Sequence, residues 1–459
     1  MRIAHWSDME KLGNISMANF SANQTLMKAT SFEKKGKAGQ ASDLYLRVLE
    51  SFPGNTRAAV GLTRTHEVLV SKHLETLWLL LEDGQAKVVL NKAQILVKKF
   101  THAFSLWNLL GASFNKSDRP IESIASYQQA LKIKSDFPQA LNNMANTLVE
   151  MGDLDSAITH YERAIKIKPD YMNAHSNLGF ALSQKGDHEA AIISFKKALK
   201  ISPSNSDAHN KIAASQMAKG DDKEAIKSFK KVIELDPDDM KAHHLLAALS
   251  GKTTNAAPKK YVEGLFDHYA SNFELSLVKK LQYDVPKKLA ELAMINEPSG
   301  SLGSVLDLGC GTGLLGARLR DSCERLEGVD LSQKMLAQAQ AKNIYNKLTQ
   351  VDILHYLKSE KLNFNYYFAA DVFIYVGNLS DLFYLIKNRN RSSGKLIFST
   401  ETAETGGFFL EKSGRYSHSK GYIQSLCDEF NYKLIAFSEI DIRKEDNQFI
   451  AGGMYLLEF

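Results

Sequence analysis

Three glycines stand among carboxylates in "VLDLGCGTGLLG", residues 305–316. Asp307 lies two residues before the first of them, Gly309, with Gly311 and Gly313 following. A second acid, Asp330, comes 21 residues after Gly309 in "GVDLS", and a third, Asp352, precedes Ile353 in "VDIL". A glycine-rich turn lets backbone amides approach a ligand closely. A dinucleotide turn would read G-x-G-x-x-G, and its pyrophosphate needs free amides with no anion beside them. Here the spacing is G-x-G-x-G, the residue three after Gly311 is Leu314, and Asp307 is close by. Such a turn suits a cofactor with a positive end. Asp330 is placed to accept from both hydroxyls of a ribose. Asp352 can accept from the amino group of a base, with Ile353 giving apolar contact to its ring.

Strands must carry these residues. "SVLDLG", "LEGVDLS", "LTQVDIL", "NYYFAADVFIY", "GKLIFSTE" and "KLIAFSEI" read as strands, with helical stretches between most of them. That alternation predicts a parallel sheet covered on both faces, with a ligand at the carboxyl ends of its strands. S-adenosyl-L-methionine matches the chemistry: it has an ammonium group and a sulfonium, and no phosphate. The residues resemble the class I S-adenosylmethionine-dependent methyltransferases, "VLDLGCGTG" their first motif, "GVDLS" the ribose-binding acid and "VDIL" the adenine loop. One departure is "NRNRSSGKLIF", where Ser393-Gly394 stands in place of that family's usual Pro-Gly.

Methyl transfer is an in-line displacement, so the protein must chiefly align the reactants; a base is needed only if the acceptor arrives protonated. Asp371 and Tyr375 follow the fourth strand, where substrate-facing residues lie in this fold. The segment reads "ADVFIYVG" rather than Asn/Asp-Pro-Pro-aromatic, which lowers the rank of exocyclic base amines and glutamine side chains as acceptors. No acidic trio with metal spacing is evident, so no metal is expected. In "SGRYSHSKGY", Arg415 could fix an acidic group on the acceptor and His418 could take a proton. The plainer reading of that stretch is the start of a helix capped by Ser417 or Ser419, with Tyr422 packing on the sheet. Cys310 reads as a packing residue.

The first half is a repeat. Gly152, Gly186 and Gly220 are spaced by 34 residues, as are Ala157, Ala191 and Ala225, and Pro169, Pro203 and Pro237. Gly turns the chain between two helices, Ala lets them cross closely, and Pro ends the second. A further unit at 107–136 has Asp118 in the glycine place, and Gly36, Ala41, Tyr45 and Pro53 mark another. From Gly36 to Gly84 is 48 residues, one repeat plus 14, so the unit between is degenerate or carries an insertion. This pattern resembles the tetratricopeptide repeat (TPR) family and implies about six repeats over residues 22–250, stacked as a right-handed solenoid and closed by a helix at 241–251. The first helix of each repeat faces the groove in this family, which would place Asn108, Asn142 and Asn210, with Asn143 and Asn177, along it. They could bond the backbone of a protein or peptide partner, or serve the repeat itself.

Residues 1–21 are left as an N-terminal extension, 251–260 as a linker and 261–459 as the second domain. Tyr261, Tyr269 and Phe273, with Leu265, recur at helical spacing, giving either a lid over the cofactor pocket or a helix packed on the core. The whole resembles a bacterial group of TPR-containing methyltransferases: an all-α TPR solenoid, then an α/β Rossmann-like class I methyltransferase domain.

Composition sets outer limits. The chain has 57 Lys and Arg against 52 Asp and Glu, a net charge of +5. Residues 256–459 carry 24 basic and 25 acidic side chains, so the excess lies in the first half and is mild. It forms no dense basic stripe, which argues against nucleic acid. No apolar run approaches the roughly 20 residues that cross a bilayer. The start lacks the apolar core of a signal peptide. Cys310, Cys323 and Cys427 form no CxxC pair, which points to a reducing compartment and the cytoplasm. Three functions remain open: a methyltransferase whose repeat arm brings in a protein, a small-molecule methyltransferase with an assembly arm, and a TPR scaffold or adaptor with a catalytically inactive S-adenosylmethionine-binding domain.

Overall fold

The computed structural model describes residues 21–270, 273, 274, 277, 281–445 and 448–459, so the N-terminal extension, save Ser21, lies outside them. The chain forms two compact units, divided between Asp221 and Asp222. The first unit is helical. Successive pairs are Ala22–Lys34 with Ala38–Ser51, Thr56–Glu82 with Ala86–Lys99, and Phe104–Asn115 with Pro120–Ile133. Pro138–Glu150 with Leu154–Ile167 and Met172–Gln184 with His188–Ile201 follow, then Ser206–Ala218.

The repeat positions act as their chemistry requires. Gly152 and Gly186 take φ of +84° and +90° at the turn within a pair. The aspartate after each glycine caps the next helix: Asp153 accepts from the Ser156 amide at 3.2 Å and Asp187 from Ala190 at 3.0 Å. Ala157 and Ala191 are fully buried beside Tyr161 and Phe195. The long step between Gly36 and Gly84 is also explained. The Thr56–Glu82 helix has 27 residues where the first helix of the preceding pair has 13, an excess equal to the 14 extra residues.

The second unit begins with helices Asp222–Leu235 and Met240–Leu249, followed by Lys259–Tyr269 and Val285–Ile295. A nine-stranded sheet comes next: β1 Gly303–Leu308, β2 Cys323–Asp330, β3 Lys347–Gln350, β4 Tyr366–Ala369, β5 Lys395–Thr402, β6 Phe408–Leu410, β7 Tyr416–His418, β8 Lys433–Glu445 and β9 Gln448–Glu458. β3-β2-β1-β4-β5 run parallel, β9 lies antiparallel between β5 and β8, and β7 and β6 hang from the end of β5. Apolar clusters cover both faces, one containing Leu306, Tyr367, Phe383 and Phe398, the other Val305, Phe368, Leu289 and Ile397. Strands buried on both faces read as continuous apolar runs, which is why "SVLDLG" and "GKLIFSTE" stand out in the sequence.

Local chemistry trims several expected strands. β3 ends at Gln350 because Asp352 turns the chain and caps helix Ile353–Ser359, accepting from the His355 amide at 3.0 Å. β4 ends at Ala369; Asp371 then takes φ +58° and Phe373–Tyr375 form a single 3₁₀ turn. "SGRYSHSKGY" contains β7, and Ser419 is the cap of helix Lys420–Phe430. The stretch joining Leu249 to the Lys259 helix is a hydrogen-bonded strap. Ala257 N–H donates to Tyr375 O at 3.0 Å, Asn378 N–H donates to Asn255 O at 2.9 Å, and the Thr254 and Tyr416 hydroxyls lie 2.5 Å apart. Among the described residues no helix is long and apolar enough to cross a membrane.

Asp118 holds the glycine place with φ +57° and is exposed. Left-handed backbone strains a residue with a Cβ, so Asp118→Gly is expected to stabilise the first unit by about 0.5–1 kcal/mol, and Gly186→Ala to destabilise it by about 1 kcal/mol. Thermal unfolding of the three proteins checks both signs.

Candidate active site

The site grows from the parallel pairing of β1 with β2, which sets Leu308 beside Val329. As the chain leaves β1, the amides of Gly309 and Cys310 both donate to Val329 O, at 2.8 and 3.0 Å. The Gly311 amide donates to Asp330 Oδ2 at 2.8 Å, and Ser332 N–H donates to Asp330 Oδ1 at 2.8 Å. Gly309, Gly311 and Gly313 take φ of +68°, +54° and +84°. A Cβ at Gly309 would lie 2.5 Å from Val372 Cγ2, whereas one at Gly311 would meet nothing within 4 Å. The turn is therefore packed behind Gly309 and open in front of Gly311. Each Asp330 oxygen takes one amide and keeps capacity for a second donor.

Asp307 is 1% exposed and accepts from the Tyr345 hydroxyl at 2.7 Å. Burial pushes its carboxyl up to about 7 in spite of that bond. Burial also raises Asp330, against the amides that favour its charge. Asp352, besides capping its helix, pairs with Lys259 at 2.9 Å, and Ile353 packs on the sheet core.

The Lys259–Tyr269 helix, and Phe273 and Glu274 beyond it, meet these loops through acids as well as rings. Asp267 accepts from the Ser332 hydroxyl, and Glu274 accepts from Thr312 Oγ1 at 2.7 Å and Lys342 Nζ at 2.5 Å. Phe266 sits edge-on to Tyr375 at 5.4 Å and to Phe273 at 6.1 Å. The expected stripe divides: Tyr261 packs near His244, Tyr269 is half exposed, and Phe273 lines a cleft with Tyr283, Asp307, Gly311 and Ala370. That cleft measures about 50 Å³. A larger hollow of about 330 Å³ lies among the first repeats, but its charged lining is Arg57 and Arg64, and Arg64 is held by Glu33 at 2.6 Å.

Beyond β4 lies a cluster of five charges. Arg443 donates to Asp371 Oδ2 at 2.8 Å and Glu445 at 2.7 Å, and also to Glu401. Arg415 donates to Glu401 at 2.8 Å and Glu445 at 2.6 Å. Arg415 is thus spent on internal ion pairs, and its guanidinium fork is not presented to an incoming anion, in contrast to the expectation from sequence. His418 differs too. It is fully buried, and its Nε2 donates to the carbonyls of Val376 and Gly377 at 3.0 and 2.9 Å. Burial lowers it to about 4, so it stays neutral and braces β7 against the turn after β4 instead of collecting protons. Tyr345, Tyr283, Glu274 and Arg443 were not foreseen.

In the repeats, the asparagines bond across neighbouring helices. Asn177 Nδ2 donates to Asn142 and Asn146, both at 3.0 Å; Asn142 donates to Asn143 at 3.3 Å, and Asn143 to Asn108 at 3.1 Å. Asn108 and Asn142 are buried, while Asn143, Asn177 and Asn210 are half-buried.

Residues 145–186 match the family described as TPR repeat, 182–249 the family described as tetratricopeptide repeat, and 305–391 the family described as methyltransferase domain. The chain carries tetratricopeptide repeats and a methyltransferase domain. Among solved structures it is similar to MamA, 21% identical over 39% of this chain and 94% of that one, with a TM-score of 0.33. It is also similar to YrrB, a TPR protein with an unusual peptide-binding site (16% identity, 44% and 96% coverage, TM-score 0.33). A third is the magnesium protoporphyrin IX methyltransferase of Synechocystis PCC 6803 with bound SAH (16%, 44% and 98%, TM-score 0.34). No curated protein matches the chain.

Asp307 gives the methyltransferase domain a measurable pH dependence. Its folded carboxyl lies near 7 against an ordinary 3.8. A raised acid contributes stability that is complete at low pH and lost as pH rises through the folded value. Asp307→Asn should therefore gain on the parent between about pH 4 and 7, where the unfolded parent has lost that proton and the folded parent still holds it, and hold the gain above it. Unfolding midpoints of both proteins across that range decide it; parallel curves would contradict the burial argument.

Proposed function

We propose that this chain is a methyltransferase that uses S-adenosylmethionine, and that its repeat arm engages a protein or peptide partner. One observation carries the reading: the glycine turn lies between buried Asp307 and half-buried Asp330, is open in front of Gly311, and has no basic side chain within residues 305–316. That donor set disfavours a phosphate and suits a ligand with a cationic end.

S-adenosylmethionine supplies a methyl group on positive sulfur, already activated for displacement. The chain's part is to bind, align and exclude water. Gly309, Gly311 and Gly313 give it a close backbone approach, and Asp307 offers a buried counter-charge. Asp330 keeps one acceptor site per oxygen for a pair of hydroxyls, and Asp352 with Ile353 frames a base. Asp371 and Tyr375 form the acceptor side, with Arg415 and His418 as the braces behind them. Small-molecule pockets run to roughly 300–1,000 Å³, so a cleft of about 50 Å³ must widen to admit such a ligand, with Phe273 in its wall moving aside. Tyr261, Tyr269 and Phe273 then travel with a lid whose return excludes water, and alignment of that kind supplies roughly 7–11 kcal/mol. In the arm, Asn108, Asn142, Asn143, Asn177 and Asn210 would offer their amides to a peptide backbone.

Calorimetry of the full chain with S-adenosylmethionine tests the reading. Binding is expected, and Asp330→Ala should weaken it by roughly 10–100-fold, the worth of hydrogen bonds to a charged group. No heat from a folded protein would leave the domain as a noncatalytic part of a scaffold.

A further inference from the structure

We propose that the methyl acceptor is a basic amine, admitted as its cation among aromatic rings and deprotonated by Asp371. The inference rests on the methyltransferase reading and names the substrate class of the same site.

Asp371 is half of an ion pair and half free. Its Oδ2 is held by Arg443, while its Oδ1 is buried and has no partner among the described residues. A buried carboxylate oxygen without a donor is costly, and it persists where a ligand supplies the donor. The backbone there is also in a region that β-carbon residues avoid, φ +58°, with the amide fixed to Ser399 Oγ at 2.9 Å. Strain of this sort gathers at functional sites.

The local charge favours a cation. Asp371, Glu401 and Glu445 oppose Arg415 and Arg443, three negative groups against two positive. Buried Asp307 adds a further acid in the lining of the cleft. A carboxylate, phosphate or thiolate acceptor would meet repulsion, and the two guanidiniums that might offset it are committed to their carboxylates. A neutral amide nitrogen offers no charge to attract. The walls are aromatic: Phe273 and Tyr283 line the cleft beside Ala370, and Phe266 packs on Tyr375. Asp371 directly follows Ala370, which lines the cleft, and precedes the Phe373–Tyr375 turn whose Tyr375 packs on Phe266. Ring faces and a carboxylate together hold an ammonium group.

The step balances without another reactant. The ammonium gives one proton to the Asp371 carboxylate, freeing the nitrogen lone pair. That pair forms the new nitrogen–carbon bond as the carbon–sulfur bond breaks, its electrons passing to sulfur and cancelling the sulfonium charge. The product leaves as a methylated ammonium, and Asp371 returns its proton to solvent.

Binding of simple probes tests this on the full chain saturated with S-adenosylhomocysteine. Benzylammonium is expected to bind at least roughly tenfold more tightly than benzyl alcohol or phenylacetate, the worth of a charge-assisted bond. Asp371→Asn should erase the preference. The groups facing Asp371 are Arg443 and Glu445 on β8, Glu401 on β5, Arg415 before β7, and the Tyr283 and Tyr375 phenols, with Asp307 beyond Tyr283. Burial pushes Asp371 up to about 6 in spite of Arg443, so in the parent protein the preference should fade from about pH 8 to about pH 5. That titration stands as a test even if the variant misfolds. Equal binding of the alcohol or carboxylate, a preference that survives in Asp371→Asn or at low pH, or no probe binding at all would overturn the amine. Failure of S-adenosylhomocysteine itself to bind would overturn the methyltransferase reading, and this proposal with it.

Discussion

Four backbone amides converge on the end of β2, and the cleft is built outward from them. Val329 O takes two and the Asp330 carboxylate takes two, one of them on each side of the crossing from β1. With these bonds made, the three glycines have no freedom left to collapse into the space in front of Gly311. The same carboxylate orders the next layer. By holding the Ser332 amide it fixes the cap of helix Gln333–Ala341, and the Ser332 hydroxyl in turn donates to Asp267 of the Lys259–Tyr269 helix. A tie made of backbone groups and one acid is thus coupled to the helix that covers it. Asp330 is at once a structural clamp and the residue best placed to feel a ligand.

The opposite wall is held by charges. Arg443 on β8 reaches the turn after β4 and the end of β5, and Arg415 closes the ring from the segment before β7. Buried ion pairs contribute little net stability, because desolvation offsets much of their attraction, but removing one partner strands the others. Such a ring therefore acts more as a registration device than as a source of stability. The strap at 253–258 serves the same wall through backbone bonds to Tyr375 and Asn378. On its amino side, His244 Nε2 donates to Gly414 O at 2.9 Å. Helix Met240–Leu249, though part of the repeat pattern, is joined within the second unit to the loop that carries Arg415.

How much of this was legible depended on whether the signal was local. The 34-residue period, the turn glycines and the strand-turn-helix around Gly309 are set by neighbours in sequence, and they read through directly. The 48-residue step was visible as an excess of 14 and became a single long helix. Three-residue strands such as β6 and β7 have too few residues to show a period, so "SGRYSHSKGY" read as a polar site or a helix start and not as a strand. Arg415 and His418 misled for a physical reason. Residue type gives their chemistry in water, but the carboxylates that occupy Arg415 lie 14 and 30 residues away, and the carbonyls that take the His418 proton lie about 40 residues away. The asparagines were found by register, yet register could not say that they would bond to one another. Tyr345 and Arg443 carry no local signal of their task at all.

The two walls share one electrostatic feature. Asp307 on the turn side and Asp371 on the far side are both buried, and burial lifts both toward neutrality. Left alone, each holds a proton more tightly than it would in water, and the free protein is correspondingly stabilised by that proton. A cation entering on either side reverses the preference, because an opposite charge in a water-poor site favours the ionised acid. Ligand binding and proton release are then one event on each wall. A carboxylate poised to give up a proton when a cation arrives discriminates against anions without needing a shape that excludes them. Discrimination by charge also tolerates acceptors of varied size, provided that each brings a positive nitrogen. An enzyme whose acceptor is presented by a partner on a repeat arm could use such tolerance, since the arm would then supply the remaining selectivity.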